Sequence, residues 1–179
     1  MSTTTRSISD LIPHAEPMVL IDEVLDFDQD RIHCRAHTGS PTTHPLSVNS
    51  QIPGEVLAEY GAQAIAVHGG LLSPPGSAPR PGRLVALGRL ELTTSDLTKD
   101  HTLLITAHCL SGDQRGQLYD FEVFDLEKDS TTSGNMIDNT TVSNLSDSNQ
   151  GRRRLASGRA TIMFADQKTQ PNAEQGISA

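Results

Sequence analysis

Tryptophan is missing from this 179-residue chain, and its other aromatics are only two tyrosines and four phenylalanines. A core built from it must therefore rest on Val, Ile, Leu and Ala with a few Phe. Cysteine is scarce as well. Cys34 and Cys109 stand in separate segments without CxxC spacing, which fits free core thiols in a reducing compartment and not a disulfide-stapled scaffold. Basic residues are outnumbered, 14 Lys and Arg against 22 Asp and Glu, for a formal net charge of -8. Nucleic-acid binding needs clustered cations that outweigh nearby carboxylates, so no such partner is expected. No apolar run reaches the roughly 18 residues of a membrane span. The opening MSTTTRSISDLIPH also has no apolar run of signal-peptide length, and the chain reads as cytoplasmic.

What is present is strand patterning around one helix. Apolar alternation predicts strands over 17–28, 31–38, 83–92, 102–110, 117–126 and 154–165, with Asp28-Gln29-Asp30 turning the first into the second. In the second strand Ile32, Cys34 and Ala36 share one face, and Arg31, His33, Arg35 and His37 share the solvent face. A long helix is predicted from Pro53 to Leu72, with Pro at its start and a Gly pair near its end. Between Val56 and Ala66 its only ionisable side chains are Glu59 and the phenol of Tyr60, and small apolar residues occur all round. Such a helix is buried on every side. The stretch 129–151 is rich in Ser, Thr, Asn and Asp without periodicity and reads as a mobile insert, and 166–179 reads as a flexible tail. With no βαβ rhythm, residues 1–165 are expected to form one α+β domain. Its layout would be one long central helix wrapped by an antiparallel sheet of about five to six strands.

Glu59 is the residue most in need of an explanation. A carboxylate on an apolar helix must be paired, hydrogen-bonded or protonated to offset its desolvation, and pairing with a strand arginine would be the structural account. Four residues on, Gln63 shares its face, and upstream His44 precedes the step Pro53-Gly54. The stretch HPLSVNSQIPGEVLAEYGAQA resembles the active-site segment of the FabA/FabZ-type 3-hydroxyacyl-acyl carrier protein dehydratases, in which a loop His precedes Pro-Gly and a helix carrying Glu or Asp. The spacing from Pro-Gly through Glu59 to Gln63 matches without gaps. LIPHAEPMVLIDEVLDFDQDRI is similar to that family's opening segment. "IPH", "HP" and "AEY.AQA.A.HG" together resemble more closely a branch of hotdog proteins described as dehydratases and linked to aryl polyene-type lipid clusters.

The resemblance implies a hotdog fold and dehydration of a 3-hydroxyacyl thioester to a trans-2-enoyl thioester, without metal or organic cofactor. His44 would take the α-proton and Glu59 would protonate the departing hydroxyl. Backbone N–H groups at Gly54 and Glu55 would face the thioester oxygen, where the helix dipole is positive. Gln63 and His14 would support the site. The substrate would ride on acyl carrier protein or coenzyme A, and the enzyme would be a homodimer or higher oligomer with His and acid on opposite subunits. One departure concerns the His44 loop, which is one residue longer than the family's and has Pro45-Leu46-Ser47 in place of Phe-Pro-Gly. Two other readings stand beside this one: a hotdog thioesterase, and a non-catalytic hotdog partner that binds acyl chains.

The remaining motifs read blandly. His68, nine positions from Glu59, falls on the opposite helix face and is expected to be packed. His14 is expected to hydrogen-bond near the site. A zinc site from His33, His37 and His44 is not expected, because Arg35 stands between the first two on one strand face. The run Arg152 to Arg154 fits a solvated strand start, with docking of an acidic carrier as its second reading.

Overall fold

Alternation in RIHCRAH drives Ile32, Cys34 and Ala36 out of water, and each is completely buried. Alternation also runs through residues 119–123 and 156–160 in two later strands of the computed structural model, which describes residues 7–74, 82–126 and 152–164. In chain order the elements are a short 3-10 helix (Ile8–Asp10), β1 (Glu23–Phe27), β2 (Arg31–His37), β3 (Ile52–Pro53) and α1 (Val56–Leu72). After these come β4 (Gly82–Leu92), β5 (Asp96–Leu97), β6 (Thr102–Gly112), β7 (Gly116–Asp125) and β8 (Arg153–Phe164). Six strands form one antiparallel sheet in the order β1-β2-β6-β7-β8-β4, and β3 pairs separately with β5. Helix α1 packs on β2, β4, β6, β7 and β8. This is the hotdog layout. The stretch 129–151 and the tail 166–179 lie outside the described residues.

Two element boundaries differ from the sequence expectation. The first strand starts at Glu23 and not at residue 17, because Met18 and Leu20 before it bond to the helix, and only Asp22 reaches β2, at Arg35 and His37. The Gln63 amide accepts the Leu20 N–H at 2.8 Å and donates to the Met18 carbonyl at 2.8 Å. The helix begins at Val56 and not at Pro53, because Ile52 and Pro53 pair with Leu97 and Asp96 in β3–β5.

The inner face of the sheet and the buried side of α1 make the core. Leu57, Tyr60, Ala64, Ile65 and Val67 from α1 meet Ile32, Leu103, Ile105, Tyr119, Phe121 and Val123 from the strands. No residue between Val56 and Leu72 is exposed. The outer face is polar, and its best-formed pair is Arg159 on Asp120, bidentate at 2.6 and 2.7 Å. At the two ends of the sheet, β1 and β4 are edges. Strand β4 exposes Leu84 (45%), Val85 (53%) and Leu87 (40%) along a row of backbone groups that, among the described residues, pairs with β8 on one side only, an uncommon surface for an unassociated chain.

Close approach of helix and sheet requires glycine at one point. A Cβ on Gly61 would stand 2.4 Å from the Phe121 ring, and the far side of that ring is closed by Gly158, whose own Cβ would stand 2.7 Å away. Gly61→Ala is therefore expected to destabilise the fold by about 1–3 kcal/mol in urea unfolding, despite a helix-propensity gain of up to about 1 kcal/mol. Adding Phe121→Leu should recover part of the loss. If Gly61→Ala matches the native midpoint, the ring is not clamped as described.

Candidate active site

Glu59 sits in the first turn of α1, where the helix dipole favours a negative charge. Its side chain is 32% exposed, so the carboxyl reaches the surface from a helix that is otherwise covered. The Gln63 amide donates to Glu59 Oε1 at 2.9 Å, and His14 Nε2 faces the same oxygen at 3.3 Å. Gln63 is fully buried, and its three bonds join α1 to the backbone at Met18 and Leu20 as well as to Glu59. His14, Glu59 and Gln63 thus form one cluster. Glu59 therefore has partners, though not the strand arginine that the structural account supplies.

His44 belongs to a second cluster. It is 7% exposed in the loop before β3, and its Nδ1 accepts the Leu46 N–H at 3.1 Å. A backbone N–H can only donate, so the neutral ring carries its proton on Nε2. That nitrogen donates to the Tyr60 hydroxyl at 3.2 Å. Burial holds the His44 pKa below the ordinary 6.5, and burial pushes that of Tyr60 upward, with Asp22 and Asp100 adding to it. The pair is therefore a neutral imidazole on a neutral phenol. Within one chain no hydrogen bond or ion pair joins His44 to Glu59 among the described residues.

At the helix start, Gly54 needs correcting. Its N–H is spent on the Ser95 carbonyl at 2.6 Å, and a Cβ there would lie 2.4 Å from the Thr94 carbonyl oxygen. Glycine here admits the backbone of Thr94 and Ser95, just before β5. Of the expected oxyanion pair, the Glu55 N–H stays in consideration.

Other histidines have partners of their own. His68 is buried, donates Nε2–H to the Asp28 carbonyl at 2.9 Å and accepts the Tyr119 hydroxyl at 2.9 Å. His37 meets Asp22 at 2.6 Å at the surface, whereas His33, paired with Asp26 at 2.6 Å, has a side chain only 12% exposed, less open than its strand face predicts. Sequence reading assigned no role to Tyr60 beyond its phenol, nor any to the buried pair His101–Asp125 at 3.0 Å. Tyr60 offered one signal, as a second polar group on an apolar helix.

A family model described as ApeP-like, ApeP dehydratase, matches residues 6–146. The chain belongs to the ApeP-like family. No curated protein matches this ApeP-like chain. Among solved structures it is similar to the dehydratase heterocomplex ApeI:P from Xenorhabdus doucetiae, at 19% identity and a TM-score of 0.68, over 91% of this chain and 93% of that one. It is also similar to AziG from S. sahachiroi, at 15% identity and a TM-score of 0.53 over 86% and 97% of the two chains. A hypothetical thioesterase with coenzyme A from Streptococcus pneumoniae TIGR4 matches at 12% identity and a TM-score of 0.51 over 82% and 88%. At these identities the structures establish the shared hotdog fold. The ApeP-like assignment makes the chain a hotdog protein of a dehydratase family. No described helix is long and apolar enough to cross a membrane.

Two outcomes follow from these bonds. Gln63→Leu removes partners from the Leu20 N–H and the Met18 carbonyl, each orphaned group costing about 1–3 kcal/mol, so its urea midpoint should fall sharply. An unchanged midpoint would mean that water replaces the amide. For pH, burial holds both His44 and His68 below 6.5, while the Asp28 carbonyl bond opposes the shift at His68. Below 6.5 the unfolded chain binds more protons than the folded one. Stability is therefore complete above that value and is lost as pH falls from it towards the lowered folded-state pKa values. His68→Gln should make that acid-side loss shallower in unfolding curves taken across the window, and an equally steep loss would remove His68 from the account.

Proposed function

We propose that this chain dehydrates a 3-hydroxyacyl thioester to a trans-2-enoyl thioester. The observation that carries the reading is Glu59, a carboxyl brought to the surface by a buried helix and held on one oxygen by a fixed amide. Membership of the ApeP-like dehydratases supports it. In the reaction a base takes the proton on C2, the C3–O bond breaks, and Glu59 protonates the departing hydroxyl to release water as the C2=C3 bond forms. Charge that develops on the thioester oxygen would meet the Glu55 N–H at the positive end of α1.

The base in this reading is His44, supplied by a second chain. The Tyr60 hydroxyl holds the His44 Nε2–H and so leaves the lone pair on Nδ1, the nitrogen that now meets the Leu46 N–H. A substrate would displace that backbone contact. A ring kept neutral by burial is ready to accept a proton near neutral pH. The second chain is another copy of this one, in a homodimer or higher oligomer joined along the apolar β4 edge. A related subunit, as in the heterocomplex of Xenorhabdus doucetiae, would occupy the same edge. The substrate rides on acyl carrier protein or coenzyme A, in fatty-acid or polyketide-like lipid synthesis in the cytoplasm.

Thioester hydrolysis is the second reading, because Glu59 could activate water while His44 stays on Tyr60. A non-catalytic partner that binds acyl chains is the third. Incubating the protein with 3-hydroxyacyl-carrier protein and following products by mass spectrometry separates them. Enoyl product is expected from the native chain. His44→Ala and Glu59→Gln should each cut its rate by about 100-fold or more. Free acid as the main product would favour hydrolysis, retained substrate a binding role, and full activity in either variant would overturn the site.

A further inference from the structure

His14 reaches Glu59 across 45 positions of sequence, and the route by which it does so is built, not incidental. Leu11 and Ile12 just before it are core residues. A Cβ on Gly70 would stand 2.7 Å from the Leu11 carbonyl oxygen, so this stretch lies directly against the C-terminal half of α1. Beyond His14, Met18 and Leu20 are bonded to Gln63. Anchored at Gly70 and again at Gln63, the intervening segment lays the His14 ring over Glu59 at 3.3 Å.

The hydrogen bonds then assign protons. Because the Leu20 N–H can only donate, the Gln63 atom it meets is the amide oxygen, and the Gln63 NH2 is the end that faces Glu59 Oε1. Nδ1 of His14 is buried and has no hydrogen-bond partner. A proton there would be a stranded donor, whereas a bare lone pair is the smaller loss, so the ring carries its proton on Nε2, the nitrogen 3.3 Å from Glu59 Oε1. The Gln63 NH2 donates to this carboxyl oxygen, and the His14 ring nitrogen lies against the same atom at 3.3 Å.

We infer that His14 is a positioning residue, which together with Gln63 occupies Oε1 of Glu59 and leaves Oε2 as the oxygen that exchanges the reacting proton. The inference rests on Glu59 being the acid of the proposed dehydration. It adds which oxygen acts and what holds the carboxyl in place. Without the His14 ring against it the carboxyl keeps only the Gln63 amide and can turn about its last bond, and misplacement on the order of 1 Å costs about 100-fold in rate.

Three variants and one spectrum test it. His14→Leu should lower kcat by about 10- to 100-fold with KM and melting temperature nearly unchanged. His14→Gln, whose amide NH2 extends about as far as Nε2, should regain most of that loss. Equal kcat in His14→Leu and the native chain, or equal impairment in the two His14 variants, would overturn the inference. Nitrogen-15 NMR of the histidine rings gives a readout that does not need activity. It should show His14 protonated on Nε2 with Nδ1 bare, and should lose that preference in Glu59→Ala. A proton on Nδ1 in the native chain would overturn the inference. A native chain with the expected ring tautomer but no enoyl product would instead sink the dehydratase reading and leave the His14 arrangement standing.

Discussion

Helix α1 buries nine of its 17 residues and half-buries the rest, and most of the molecule's organisation follows from that constraint. Desolvation of most of its surface stabilises a helix made of Ala, Gly, Leu, Ile and Val, but any polar group that is buried with it must find a partner or cost free energy. It carries four: Glu59, Tyr60, Gln63 and His68. Each binds a different part of the chain to the helix. Gln63 holds the N-terminal segment at Met18 and Leu20, His68 holds the Asp28 turn and Tyr119 of β7, Tyr60 holds the His44 loop, and Glu59 meets His14. The polar residues of the helix are thus the fasteners of the fold as well as the candidates for its chemistry.

The same constraint divides the site. Tyr60 and Glu59 are consecutive on the helix and so point about 100° apart, and the histidines they meet are likewise parted. His44 sits inside, neutral on a phenol, and His14 sits at the rim on a carboxylate. In the proposed dehydration the His44 ring and the Glu59 carboxyl would come from different chains. Strand β4, with apolar side chains along an edge paired on one side only, is a surface suited to bringing a second chain in.

Much of this was legible in the residues. Period-two alternation located β2, β6, β7 and β8, and an apolar helix with one carboxylate located α1 and Glu59. The errors lay where a distant segment decided the outcome. Met18 to Leu20 has the apolar character of a strand but is taken by Gln63, and Pro53-Gly54 looks like a helix start but is taken by Ser95 and Asp96 at the start of β5. In both places a backbone group found its partner far along the chain, and local pattern carries no record of such a partner.

Which residues are inside, where the helix runs and that Glu59 needs company were settled by the sequence itself, because burial and periodicity are properties of neighbouring residues. Which histidine keeps that company was settled only by the tertiary structure. His14 and His44 are 45 and 15 positions from Glu59, and the nearer one in sequence is the one that turns away. A 3.3 Å contact depends on how the N-terminal segment is pinned to α1, and that pinning is the work of Gly70 and Gln63, whose partners no local pattern names.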